Sequence, residues 1–160
     1  VAQQLALLER IDDAIEAYRR ILPLARTLVA DNPTDARSRN DLARSLLEHG
    51  RILLIAEQSA GAVEPLREAA AGWKQAMERS SEGSGHDHVV ARSLIDSNLF
   101  LGRALLMSDD PEAAREVHGE LAGLLREIRG NWPDNDSFAS QTRDAEILHE
   151  AILKELGRLD

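Results

Sequence analysis

The sequence predicts an all-α fold, a solenoid of antiparallel helix pairs, and three observations carry that expectation. Ala (23) and Leu (24) dominate the 160 residues, while aromatics make up only 3%, so helix formers far outnumber the β-branched and aromatic residues that suit strands. Turn-forming clusters cut the chain at Asp31-Asn32-Pro33-Thr34, Ser80-Ser81-Glu82-Gly83-Ser84-Gly85, Asp109-Asp110-Pro111 and Asn131-Trp132-Pro133-Asp134-Asn135-Asp136. The stretch Leu42–Leu54 also overlays Leu94–Leu106, matching Leu, Ser, Gly-Arg and Leu-Leu at the same places.

The breakers leave helical patterns at about 1–8, 12–31, 35–56, 60–80, 87–107, 111–130 and 137–158, seven helices in about three long pairs. In 12–31, Ile15, Tyr18, Ile21, Leu22, Ala25 and Leu28-Val29 recur at three- and four-residue steps, which marks a buried stripe. Pro23 falls inside that stripe and is expected to kink the helix without ending it, because the apolar period continues past it. Pro65 lies near the start of its helix, where a missing N–H is easier to accommodate. Asp110 followed by Pro111 reads as an N-cap acid and a first-turn proline. The segment Ser80–Gly85 reads as a flexible loop.

Gly50-Arg51, Gly102-Arg103 and Gly157-Arg158 punctuate the repeats, and Ala14-Ile15-Glu16 returns as Ala62-Val63-Glu64. Glycine within a helix costs about 1 kcal/mol relative to Ala, so three at equivalent positions call for a common reason. Close approach to a facing helix supplies one, with Ala14 and Ala62 as the expected small counterparts.

Composition excludes several kinds of chemistry. Absence of Cys removes disulfides, thiol catalysis and zinc–thiolate sites. A net charge of −9 disfavours nucleic acid and anionic membrane surfaces as partners. No apolar run approaches a membrane span, and a cytoplasmic location is expected. The positive charge is carried by 17 Arg against two Lys, Lys74 and Lys154.

No catalytic constellation emerges, and no cofactor is expected. Gly83-Ser84-Gly85 lacks the third glycine and the preceding strand of a dinucleotide loop. Walker and kinase motifs are missing. His149-Glu150 begins like a zincin helix, but Leu153 stands where the second histidine would be. His86-Asp87-His88 is the one histidine cluster. Two imidazoles and a carboxylate there would suit a metal, whereas Asp87 as a helix cap explains the same residues without one.

The repeated residues resemble the tetratricopeptide repeat. Gly50, Leu53, Ala62 and Leu66 fit that family's spacing, as do Gly102 and Leu105 with Ala113 or Ala114. Ala2, Leu5, Ala14 and Tyr18 fit a first copy with Ala in place of Gly. The period of about 50 exceeds the family's usual length of about 34, and His49 stands at a position that is normally apolar. Such long repeats look like the arrays appended to some bacterial serine/threonine kinases and signalling regulators.

The resemblance implies a right-handed solenoid whose first helices line a concave groove that binds a protein or peptide. It places Arg44, Leu47, Arg51, Leu54 and Ile55 there from one copy, and Asp96, Leu99, Arg103, Leu106 and Met107 from the next. The last copy contributes Ala151, Lys154 and Arg158, and extending the longer helix backwards adds Arg37 and Asn40. Before that extension the set holds five basic residues against one acid, Asp96, which suggests an acidic or carboxylate-presenting partner. The chain is thus expected to be a single non-catalytic interaction domain, 1–160, cut from a longer protein. Self-association through long amphipathic helices is the structural alternative, and a metal site at His86 and His88 the enzymatic one.

Overall fold

A computed structural model describes residues 2–81, 88–131 and 138–159. Its elements are helices α1 (Ala2–Asp31), α2 (Ala36–Ile55), α3 (Ser59–Ser81), α4 (His88–Met107), α5 (Pro111–Asn131) and α6 (Ala139–Leu159), with no strand among the described residues. The all-α class is as expected, but the described helices number six and not seven. The patterns at 1–8 and 12–31 are one helix, because Leu8-Glu9-Arg10-Ile11 between them holds no glycine, proline or capping residue. α1 also runs through Pro23, whose carbonyl accepts a hydrogen bond from the Thr27 hydroxyl at 3.1 Å. Most of the Ser80–Gly85 segment, His86 and Asp87 lie outside the described residues.

The ends are set by local chemistry. Asp35 caps α2, its carboxylate accepting from the amides of Arg37 and Ser38 at 3.2 Å each. Asp110 caps α5 through the Ala113 amide at 3.1 Å, and Pro111 opens the helix as expected. At the end of α2, the Glu57 and Gln58 amides donate back to the Leu54 and Leu53 carbonyls. The end of α4 repeats this, with Asp109 and Asp110 donating to Leu106 and Leu105.

Each helix packs on the next in sequence, and α4 also touches α2 and α6. α4 is the central element and lends Ile95, Leu99, Leu101 and Leu105 to the core. Around it, Leu46 and Leu53 of α2, Leu66 and Trp73 of α3, Leu121 and Ile128 of α5, and Leu148 and Ile152 of α6 are all at most 4% exposed. Burying such side chains contributes about 1.5–3 kcal/mol each, the main term offsetting chain entropy.

The glycines divide. A Cβ on Gly50 would sit 2.4 Å from Leu66 Cγ, and one on Gly102 would sit 2.7 Å from Leu148 Cδ2, so both mark close approaches. The side chains nearest to them are these leucines, where Ala14 and Ala62 are the counterparts expected from the sequence. Gly157 has nothing within 4 Å, so the third glycine does not share the packing reason. The first two do not share a partner helix either, since Leu66 belongs to α3 and Leu148 to α6.

Candidate functional site

The residue that organises the candidate groove is Phe100, half-buried on α4. The Arg51 guanidinium of α2 lies over its ring at 5.1 Å from the centroid, and the Arg103 guanidinium at 5.6 Å. One ring therefore holds two cations, each held by a cation–π contact. Arg103 also reaches Asp144 of α6 at 3.6 Å, which brings the third helix to the same side. Sequence reasoning named both arginines but missed the phenyl ring and Asp144. Phe100 lies three residues before Arg103, so helical spacing was a usable signal; Asp144 gave none, because only packing brings it near.

Carboxylates accompany the arginines. Arg44 approaches Asp41 at 3.5 Å, Arg37 approaches the same residue at 3.9 Å, and Arg51 pairs with Glu48 at 2.9 Å. This face is therefore a set of exposed ion pairs and not the bare positive strip that the sequence suggested. An i, i+3 or i, i+4 acid beside each α2 arginine was visible in the sequence. Exposed pairs of this kind contribute about 0–1 kcal/mol each, so an incoming carboxylate can exchange with the resident one at little cost.

Asp96 sits one turn before Phe100. Burial raises its carboxyl above the ordinary value, while a hydrogen bond from Gln141 of α6 and the charges of Arg92 and Arg51 pull the other way and Asp144 adds to the rise. It links α4 to α6 more than it faces solvent.

The remaining expected groove residues separate by burial. Leu47 and Leu99 are 6% and 3% exposed and belong to the core. Leu54 and Leu106 pack partly against it, and Asn40 and Ala151 are half-buried. Ile55 and Met107 are well exposed at 65% and 57%, at the ends of α2 and α4. Arg37 and Lys154 are exposed, and the Arg158 side chain lies outside the described residues.

Elsewhere, His88 stacks on Phe138 with centroids 5.6 Å apart, and no cluster of three metal-ligating side chains occurs among the described residues. Nor does any described helix have the length and apolarity to cross a membrane. No protein-family model matches this chain, and neither a curated protein nor a solved structure matches it.

Proposed function

We propose that this chain is a non-catalytic protein-interaction domain. In this reading it is a right-handed solenoid of helix pairs, similar to the tetratricopeptide repeat, which receives a partner segment on the face formed by α2, α4 and α6. The observation that carries the reading is the Arg51–Phe100–Arg103 arrangement. Two guanidinium forks held against one ring lose little rotamer freedom on engaging a carboxylate, and the half-buried ring offers an apolar surface between them. Ile55 and Met107 extend that apolar surface along the same side. A cytoplasmic bacterial signalling protein, such as a serine/threonine kinase, is the parent this reading suggests.

Selection from a displayed random-peptide library tests it. Enriched peptides should carry Asp, Glu or a free C-terminal carboxylate, and should lose binding to the Arg51→Glu/Arg103→Glu double variant and at high salt. Peptides that bind the double variant as tightly as wild type would refute this use of the face.

A second reading has its own support. Ile21 and Leu28, expected in the buried stripe of α1, are instead 49% and 51% exposed; with Leu24 at 71% they lie on one side of the helix, a stripe suited to self-association. Light scattering across a concentration series, with Leu24→Glu as the control, tests that alternative.

A further inference from the structure

The two repeats differ at one position that packs a seam. In the first, Leu66 fills the space over Gly50. Fifty-two residues on, the same register holds His118, and the space over Gly102 is filled instead by Leu148 from α6. His118 turns to α6 as well. Its ring lies 4.6 Å from that of His149, stacked at an interplanar angle of 23°. Its Nε2 lies 3.2 Å from the Ala145 carbonyl oxygen, and because a carbonyl only accepts, this nitrogen carries the hydrogen. A second proton must therefore enter at Nδ1.

The pair lines a cleft of about 410 Å³ between α5 and α6. The charged groups facing it are Arg126 and Arg129 from α5 and Glu146 and Glu150 from α6, while α4 contributes none to the lining. Two positive and two negative charges cancel, so the charge state of the imidazoles decides the sign of this seam. Burial, then the neighbouring His149, lowers the His118 pKa, against the smaller opposing pull of the Ala145 carbonyl. His118 in the folded seam therefore resists a proton that it would take up once free of α6.

We propose that protonation of the stacked His118–His149 pair undocks α6, so that mild acid withdraws the third helix of the binding face. The inference rests on the groove reading for its consequence, because α6 supplies Asp144 to Arg103 and carries Lys154. The undocking itself needs no ligand. Stacked neutral rings attract, whereas stacked imidazolium rings repel across a seam whose other charges offer no net compensation.

Hydrogen exchange of the whole chain, read by helix and corrected for the intrinsic pH dependence, tests it. Lowering the pH from about 7.5 to about 5.5 should speed exchange in α6 about threefold to tenfold, with α3 little changed. His118→Leu restores the residue of the first repeat and should hold the α6 change below about twofold; His149→Gln should reduce it independently, in case the leucine repacks the seam. Equal acceleration in wild type and both variants, or none in wild type, would overturn the proposal. If α6 undocks as described while library-selected peptides bind equally at both pH values, the groove reading fails and the seam proposal stands.

Discussion

Glu57 and Asp109 occupy the same place in successive repeats, 52 residues apart, and both adopt a left-handed backbone, with φ of 58° and 64°. Each ends a first helix, and each donates its amide three residues back, to Leu54 or Leu106. A glycine would suit this conformation better, since a side chain there costs about 1 kcal/mol. Glu57→Gly should therefore stabilise the fold by about 0.5–1 kcal/mol in urea denaturation, and Asp109→Gly by less, because Asp tolerates this region better than Glu. A loss of stability at Glu57 would mean that its backbone geometry is assigned wrongly.

The glycine contacts predict an order of effects. Gly50→Ala forces a methyl group against the fully buried Leu66 at its branch point and should cost about 1–3 kcal/mol. Gly102→Ala meets only the end of the Leu148 side chain and should cost less. Gly119→Ala, in the middle of α5 with nothing within 4 Å, should gain about 0.5–1 kcal/mol. Thermal melts of the three variants give the ranking directly; a Gly50→Ala melt at or above wild type contradicts the close approach.

His49 supplies a second acid-sensitive point, between α1 and α2. It is 8% exposed, stacks on Tyr18 at 5.6 Å, and neither ring nitrogen has a hydrogen-bond partner. Burial lowers its pKa, and the positive charges of Arg19 and Arg26 lower it further. The unfolded chain then binds more protons than the folded one below about pH 6.5, so stability should fall as pH drops through that value toward the lowered folded pKa. His49→Leu should flatten this part of the pH profile, and removing two unpaired buried nitrogens should offset the lost stacking at neutral pH. Melts at matched ionic strength across that window decide it, and an unchanged slope would contradict this account.

Asp96 acts with the opposite sign. Its raised pKa means that folding disfavours the ionised form, so its contribution is most favourable in acid and is lost as pH rises through the folded value. Asp96→Asn keeps the shape and removes the charge, and should raise the melting temperature at neutral pH. A lower melting temperature would show that the carboxylate is held by Gln141, Arg92 and Arg51 more firmly than burial opposes it.

The sequence by itself determined the helices, their caps and the repeat. Propensity, capping acids and glycine or proline breaks act over a few residues, which is why Asp35, Asp110 and Pro111 stand where local chemistry puts them. It overcounted by one helix, dividing 1–8 from 12–31 although no glycine or proline stands between them. The resemblance to the tetratricopeptide repeat also assigned Arg51 and Arg103 to one face, and the two meet at Phe100. Which groups meet across helices was decided only by the tertiary structure. Phe100 between two guanidiniums, Asp144 beside Arg103, Leu148 over Gly102 and His118 against His149 all join residues from different helices. Two repeats with nearly the same pattern therefore close their glycine gaps with different helices, because the space a missing Cβ leaves is filled by whichever side chain packing brings nearest.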